Sequence, residues 1–379
     1  MRLDVEHETV SIGDEWRAHA RLGAAIAGGT VADLVHFSGM EWQLYASRGS
    51  LQPVAELVSR DRWVLPWTDD EAYDGQAHFR GKRYFTPFSA APLLMFWRRD
   101  HFAHAGVPAP RPEWTYLEFQ DAAQRLTRRV GGRQLFGYDW TPGYLPNLPW
   151  WRMNGAYEWD RLAEPRKAQW TAPAVVEAFQ YQLYDSQHTL RISPTLAQKS
   201  ADARLRLEHG GVAMKVAGLE LLPRVAGQPV DVQVLPTGKT RRKVHVNSLD
   251  GQVMTRNSKD RDASWEALKW LSSENAQWRV ADSGRLCNVS ELSRRLWLPM
   301  ARARYGLANA EAFPRALDGS TIGCTGEITE LALDRDAGLG EALAGVRDGK
   351  ATAKDALERL QPRLQRLLDS YWAAERARG

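Results

Sequence analysis

The segment from Gly210 to Pro223, "GGVAMKVAGLELLP", changes character halfway along its length. Val212 to Val216 has the pattern of a short, largely apolar strand, and Leu219 to Leu222 can begin a helix. Gly218, between the two, lets the backbone turn sharply. Strand–helix corners of this kind lie at the ligand-binding edge of open α/β sheets, so the segment raises the question whether a small molecule binds here.

The composition is that of an ordinary globular protein. The chain has 379 residues, 44% hydrophobic and 25% charged, which favours two domains with large cores. Its 50 basic and 46 acidic residues are interspersed, so the net charge of +4 comes from no polybasic tract, and nucleic-acid or membrane binding is not favoured. The two cysteines, Cys287 and Cys324, leave open one disulfide or two buried thiols.

Strands and helices alternate along most of the chain, and helices close it. Strands are predicted at 2–10, 31–37, 82–88, 92–97, 212–216, 230–235, 243–247 and 251–255. Helices are predicted at 14–28, 115–131, 173–190, 195–209, 263–271, 273–281, 290–305, 327–344 and 353–374. Thr115 to Glu118 form a capping box that opens the helix at 115–131, and Gly131-Gly132 is the predicted end of that helix. This order implies an α/β architecture.

Tryptophan is unusually frequent, with 16 residues in the chain. Five of them occur in segments rich in Pro and Gly: Trp63, Trp67, Trp140, Trp150 and Trp151. An indole face in a loop suits stacking on a flat apolar surface such as that of a sugar ring. Core packing is the alternative, and it is the commoner role of any single tryptophan.

No catalytic or metal-binding constellation stands out. His101 and His104 lie three residues apart without acidic or cysteine partners nearby, which favours an exposed helix end over a zinc site. Asp69-Asp70-Glu71 is more typical of a solvated acidic loop than of a glycosidase pair, because adjacent side chains point in different directions. Gly338-Leu339-Gly340 lacks the third glycine of a dinucleotide fingerprint. We therefore expect no enzyme, no metal and no cofactor.

Six stretches carry a resemblance that extends over nearly the whole chain. They are "AAIAGGTVADLVHFSG" (24–39), "GKRYFTPFSAAPLLMFWRRDHFAHAGVPAPRPEWTYLEFQDAAQRLT" (81–127), "HGGVAMKVAG" (209–218), "DVQVLPTG" (231–238), "DGQVMTRNSKDRDASWEALKWLSSENAQ" (250–277) and "ALAGVRDGKATAKDAL" (342–357). In this order and spacing they resemble the extracellular solute-binding proteins of ABC importers. The resemblance is to the sugar- and oligosaccharide-binding branch, which is similar to maltodextrin-binding protein.

The resemblance implies a type II periplasmic-binding-protein-like fold, with two lobes, a ligand cleft between them and a helical C-terminal region. Residues 1–91 with 247–305 would form the first lobe, and residues 92–246 with 306–379 the second. Crossing segments near 89–93 and 245–249 would act as the hinge. The implied protein is a monomer that captures a sugar or oligosaccharide and delivers it to the membrane subunits of an ABC permease.

Strand ends and the resemblance together place eleven residues at the cleft. The candidates are Glu41, Trp42, Ser89, Tyr138, Asp139, Trp140, Glu220, Asn247, Asp250, Arg285 and Thr321. Glu220 stands where the family commonly has the tryptophan of Gly-x-Trp, so a hydrogen-bond acceptor replaces a stacking ring. Its alternative role is simply that of an acid in the first turn of a helix, where the helix dipole favours negative charge.

The start of the chain departs from the family. Family members begin with a signal, followed by a strand and a helix that would precede Met1. The first residues, MRLDVEHETV, have neither a basic nor an apolar region of a secretion signal. We expect the true start to lie upstream and, by resemblance, a periplasmic or cell-surface location.

Two other functional hypotheses stay open. The same fold could bind a glycerol phosphate ester, which needs Arg, Lys and helix N-termini in the cleft, or a polyamine, which needs several carboxylates with aromatic rings. A carbohydrate-active hydrolase would need two carboxylates facing each other across the cleft.

Overall fold

The computed structural model describes residues 6, 15–39, 41–64, 76–140, 147–161, 164–240, 247–318 and 338–378, without the side chains of residues 15–20, 247, 248 and 378. The strands, numbered in chain order, are β1 Leu34–Ser38, β2 Leu51–Gln52, β3 His78–Phe79, β4 Lys82–Arg83, β5 Phe85–Pro92, β6 Leu94–Arg98, β7 Arg128–Val130, β8 Arg133–Tyr138, β9 Val212–Ala217, β10 Val230–Gln233, β11 Asn247–Thr255 and β12 Leu286–Cys287.

The helices of these ranges are α1 Glu15–Ala27, α2 Trp42–Ser47, α3 Ala55–Asp61, α4 Arg99–Ala105, α5 Tyr116–Leu126, α6 Leu148–Met153, α7 Pro173–Gln180, α8 Leu196–Ala201, α9 Leu222–Val225, α10 Arg261–Ser272, α11 Glu274–Asp282, α12 Ser290–Leu292, α13 Leu298–Tyr305, α14 Ala312–Leu317, α15 Leu339–Arg347 and α16 Ala353–Arg378. Two π-helical segments, Tyr181–Thr189 and Ser293–Trp297, continue α7 and join α12 to α13. Two short 3₁₀ turns are Leu207–His209 and Leu219–Leu221.

The first sheet has the strand order β1, β11, β5, β12, and β2 pairs with the carboxyl end of β11. Both β1 and β5 run antiparallel to β11, which places Ser38 and Ser89 opposite Asp250. A bulge in the register follows between Asp250 and Gly251. The end of β1, the end of β5 and the start of β11 therefore lie along one edge of the sheet.

The second sheet has the strand order β10, β6, β9, β8, β7. β8 and β9 are parallel, whereas β6 runs antiparallel to β9 with Leu94 opposite Ala217. The carboxyl ends of β8 and β9 consequently lie at the same edge as the start of β6.

The chain passes between the sheets at these two edges. β5 ends at Pro92 and β6 begins at Leu94, so Leu93 is the first crossing residue, within the predicted segment 89–93. The chain has returned to the first sheet at Asn247, which pairs with Pro92 within the predicted segment 245–249. Two helix-covered sheets joined in this way confirm the predicted α/β class.

Helices cover both faces of the second sheet. The C-terminal helices α15 and α16 belong to a core that contains Met95 and Trp97, while α12 to α14 belong to a core with Leu94 and Phe96 on the opposite face. The second core contains Tyr305 and Leu307, on either side of the lobe boundary expected at residues 305 and 306. The lobe boundary stays a prediction, and the residues on either side of it pack into the same hydrophobic core.

Three local predictions need correction. Gly131 and Gly132 do not end a helix: α5 stops at Leu126, and the two glycines, at φ 54° and 78°, form the turn of the β7–β8 hairpin, which requires positive φ. The helix predicted at 195–209 ends at Ala201. The strands predicted at 243–247 and 251–255 become the single strand β11 from Asn247 onward, while residues 243–246 lie outside the described ranges.

Other predictions agree with the structure. The Thr115 hydroxyl and the Glu118 carboxylate form the capping box of α5 through reciprocal contacts with backbone N–H groups. The predicted strand at 2–10, apart from residue 6, and the predicted helical residues 327–337 lie outside the described ranges. No helix in the described ranges has both the length and the hydropathy required to cross a membrane.

Candidate functional site

A buried polar group lies at the crossing edge of the first sheet. The Ser89 hydroxyl donates to Asp250 Oδ2 at 3.3 Å, and Arg285 Nη1 donates to the same oxygen at 2.6 Å. Ser89 is fully buried and Asp250 is 6% exposed, whereas the Arg285 side chain is 48% exposed. Three residues predicted from separate stretches of sequence therefore meet in one cluster, which we call the Asp250 cluster.

His36 lies on the same face of the first sheet as Asp250. Its ring centroid is 5.4 Å from that of Phe88, the residue before Ser89. Partial burial lowers the pKa of His36, the Asp250 carboxylate opposes this change and the Arg285 guanidinium adds to it. Asp250 and Arg285 therefore act on His36 with opposite signs, and burial favours the neutral imidazole.

A second polar group lies at the carboxyl ends of β8 and β9. The Asp139 carboxylate forms ion pairs with Lys199 and, at 3.4 Å, with Lys215. The Lys199 ammonium also donates to the carbonyl oxygen of Trp140. Burial lowers the pKa of Lys199, and the attraction of Asp139 opposes that shift. We call these three side chains the Asp139 cluster.

Tyr138 and Trp140 flank Asp139 but point into the core of the second lobe. Trp140 is 3% exposed, and its indole N–H donates to Asn147 Oδ1 at 2.9 Å. The Tyr138 hydroxyl accepts from Trp150 Nε1 at 3.0 Å, and burial raises the pKa of this tyrosine. Both residues belong to one hydrophobic core of the second sheet, whereas Asp139 pairs with Lys199 and Lys215.

Glu41 and Trp42 follow β1, where the sequence predicted them. Trp42 is fully buried, and its ring stacks on that of Phe85 at 5.7 Å. Among the described residues, its buried indole N–H has no hydrogen-bond partner. Glu41 is half-buried at the start of α2. Of the two, Glu41 keeps a solvent-accessible side chain at the crossing edge.

Glu220 is exposed and bonds back to its own turn. Gly218 N–H donates to Glu220 Oε1 at 3.0 Å, so the carboxylate caps the turn that follows β9. This contact favours the helix-start role of Glu220 that the sequence left open. Gly218 itself has φ −100° and ψ −160°, an extended conformation that other residues adopt, so the expected need for a glycine's free backbone is wrong.

The last two candidates are only partly described. The backbone of Asn247 pairs with Pro92 at the return crossing, as expected, but its side chain lies outside the description. Thr321 belongs to the residues that the structure does not describe.

Lys199 and Lys215 are the site residues that the sequence reasoning missed. The signal was available for one of them. Lys215 is the only charged residue of "VAMKVA", a strand with five other buried residues, and a charge in such a strand needs a partner. Nothing local marked Lys199, because its contact with Asp139 joins residues 60 positions apart.

The tryptophans predicted as possible stacking residues mostly serve the core. Trp150 and Trp151 are 5% and 4% exposed on α6. Trp63 packs edge-on against Trp265 with ring centroids 5.0 Å apart, and Trp67 lies outside the described ranges. The commoner role of tryptophan therefore applies to these residues. Within the described ranges, no three His, Cys, Asp or Glu side chains lie close enough to hold a metal ion.

Comparison with known proteins agrees with this architecture. The chain belongs to the family of bacterial extracellular solute-binding proteins, whose family model matches residues 8–278. A curated relative from Brucella abortus (strain 2308) is 24% identical over an alignment of 279 positions that covers 69% of this chain and 62% of the relative. The chain thus spans less than two thirds of the length of the curated relatives that it matches.

Two solved structures share the fold across almost the whole chain. An ABC substrate-binding protein of Listeria monocytogenes, in complex with cycloalternan, has a TM-score of 0.77 at 20% identity and covers 96% of this chain and 90% of its own. The sugar-binding protein MalE of Xanthomonas citri has a TM-score of 0.76 at 19% identity, with coverage of 95% and 90%. These similarities confirm the predicted two-lobe type II fold.

Proposed function

We propose that this protein is the substrate-binding component of an ABC importer, and that it captures a sugar or oligosaccharide between its two lobes. The cleft closes over the ligand because contacts from both lobes exist only in the closed form. The closed protein then docks on the membrane subunits of a permease, outside the cytoplasmic membrane. It binds without chemical conversion of the ligand and acts as a monomer.

The Asp250 cluster is the observation that carries this proposal. A nearly buried carboxylate at the crossing edge is held by two donors, Ser89 and Arg285, and the Arg285 guanidinium remains half exposed. Such an arrangement preorganises acceptor and donor groups for hydroxyl groups, each of which needs partners when it is buried. Glu41, Asn247 and Thr321 stay predicted ligand contacts.

The relatives support a carbohydrate over other solutes. The Listeria monocytogenes protein was solved with cycloalternan, and the Xanthomonas citri protein is described as sugar-binding. Polyamine binding finds less support in the described residues, because the carboxylates of Asp250 and Asp139 are already paired with cations of the protein.

A binding screen tests the proposal. Purified protein is titrated with mono- and oligosaccharides while its Tm is recorded, since a ligand that binds the folded state raises Tm by mass action. We expect one class of sugar to raise Tm and to be recovered unchanged by chromatography. A cooperatively melting protein whose Tm responds to no sugar contradicts the proposal, and so does consumption of the sugar.

A matched pair of variants locates the site. Asp250→Asn removes the charged acceptor of the cluster and is expected to weaken sugar binding by about tenfold or more. Asp262→Asn changes an exposed acid in the same lobe, on α10, and is expected to leave the affinity unchanged. Equal affinity in both variants would place the ligand elsewhere.

A further inference from the structure

The Asp139 cluster contains more positive than negative charge. Two ammonium groups, of Lys199 and Lys215, share the single Asp139 carboxylate, and the three side chains are 11%, 18% and 3% exposed, respectively. Arg206 adds positive charge nearby, since together with Lys215 it lowers the pKa of Lys199. The Asp250 cluster differs, because there one carboxylate faces one guanidinium.

Lys215 is the less engaged of the two lysines. Lys199 donates both to Asp139 and to the carbonyl oxygen of Trp140. Among the described residues, the charged partner of Lys215 is Asp139, at 3.4 Å, a distance at which the attraction is weaker than that in a direct hydrogen bond. A partly desolvated ammonium with spare donors is costly unless an acceptor completes its surroundings.

The cluster is also placed to meet a ligand. Lys215 lies two residues before Ala217, which pairs with Leu94 beside the first crossing. Asp139 directly follows β8, whose carboxyl end lies at the same edge. Ligands of α/β sheets bind at the carboxyl ends of the strands, and here that edge carries the connection to the other lobe.

We propose that the ligand of this protein carries an anionic group, and that Lys215, supported by Lys199, binds it at the edge of the second lobe. The inference rests on the proposed function and specifies the class of solute: an acidic sugar. Carboxylate, phosphate and sulfate groups share the required chemistry, because the oxygen atoms of all three anions accept hydrogen bonds from an ammonium group. Asp139 pairs with both lysines and fixes their position.

A purely structural role for the cluster makes a different prediction. In that case the Asp139–Lys199 pair only ties α8 to the end of β8, and Lys215 only adds a second positive charge beside the Asp139 carboxylate. Substitution of Lys215 would then change stability, with no effect on which sugars bind. Selectivity between acidic and neutral sugars therefore separates the two roles.

The test uses matched pairs of sugars on the full chain. Galacturonate and digalacturonate represent carboxylates, glucose 6-phosphate represents phosphate, N-acetylglucosamine 6-sulfate represents sulfate, and the unsubstituted sugars serve as their neutral partners. Affinities are measured by calorimetry. We expect at least one acidic member to bind about tenfold tighter than its neutral partner, with a preference that weakens as salt is added.

Variants assign the preference to the cluster. Lys215→Gln is expected to remove most of the acidic preference, measured as the ratio of the affinities for an acidic sugar and its neutral partner. Lys239→Gln, an exposed ion-paired lysine of the same lobe, is the control and should keep the preference. An unchanged preference in Lys215→Gln, or neutral sugars that bind as tightly as their acidic partners in every pair, overturns the inference and leaves the proposed function intact. Binding of no sugar of either kind overturns both.

Discussion

Arg285 and Asp250 are 35 residues apart in the sequence, and their side chains are joined by a hydrogen bond of 2.6 Å. Asp250 lies on β11 near the return crossing, and Arg285 precedes β12, which pairs with β5 beside Ser89. The contact therefore depends on both strands docking on β5. It links the integrity of the first sheet to the arrangement of the candidate site.

Loss of this contact should affect binding more than folding. Arg285→Gln is expected to lower the free energy of unfolding by only about 1 kcal/mol, because the guanidinium is half exposed. Sugar affinity should fall by about tenfold, since the Asp250 carboxylate loses its charged partner. Urea denaturation and calorimetry on one preparation measure both values. A large loss of stability with unchanged affinity would make Arg285 a structural residue.

Substitution of Trp140 should destabilise the protein far more than substitution of Glu220. Trp140→Ala removes a core indole and is expected to destabilise the protein by about 3–5 kcal/mol. Glu220→Ala removes an exposed cap of its own turn and should cost about 0.5–1 kcal/mol. Urea unfolding separates the two. A Trp140→Ala variant with near-native stability would contradict the core assignment and return Trp140 to the list of ligand contacts.

Two glycines provide a test of the packing that positions β8. A Cβ added at Gly137 would lie 1.9 Å from the Ala123 carbonyl oxygen of α5, so Gly137→Ala should force strand and helix apart. We expect a loss of more than about 2 kcal/mol. Gly345→Ala, in open space within α15, should instead raise stability by about 0.5–1 kcal/mol. Thermal and urea unfolding measure both changes in stability. A Gly137→Ala variant with unchanged stability would show that α5 and β8 are less closely packed.

Cys287 should be inert in the folded protein. Burial raises the pKa of its thiol to about 12 from an ordinary value of 9.0, so almost no thiolate is present at pH 8. In a Cys324→Ser background, a thiol reagent at pH 8 should modify Cys287 only after unfolding. Fast modification of the native protein would contradict its burial.

The same shift fixes a direction for the pH dependence of stability. Between pH 9 and about 12 the unfolded chain releases the thiol proton while the folded chain retains it, so the contribution of Cys287 to stability falls as pH rises. Urea unfolding of Cys324→Ser with and without Cys287→Ala, at pH 8 and pH 10, isolates the effect. The difference between the two variants should become smaller at pH 10.

The ion pair between Arg152 and Glu158 is buried on both sides, at 0% and 2% side-chain exposure. Arg152→Met leaves the Glu158 carboxylate in the core without the guanidinium and should cost about 3–5 kcal/mol. Glu177→Gln, which breaks the exposed Lys239–Glu177 pair, should cost less than about 1 kcal/mol and is the control. Equal losses measured by urea unfolding would indicate that water reaches the Arg152 site.

Local patterns in the sequence were sufficient for much of the fold. The capping box at Thr115 and the apolar strand predicted at 212–216 depend on residues a few positions apart. Both are confirmed, and the strand extends one residue further, to Ala217. Such local patterns were not sufficient for the glycine pair Gly131-Gly132. A positive φ serves a hairpin turn as well as a helix end, and neighbouring residues do not decide between them.

The sequence by itself determined the α/β class, because hydrophobic period and turn residues are encoded along the chain. The order of its motifs carried the resemblance to the family, which in turn implied the crossings near 89–93 and 245–249. Only the tertiary structure decided which polar residues meet. Strand register brought Ser89 opposite Asp250, and the docking of α8 brought Lys199 to Asp139. Packing beyond the end of β8 also decided that Trp140 fills the core while Asp139 pairs with Lys199 and Lys215. Such pairings follow from contacts between residues 60 or 161 positions apart, which no local pattern contains.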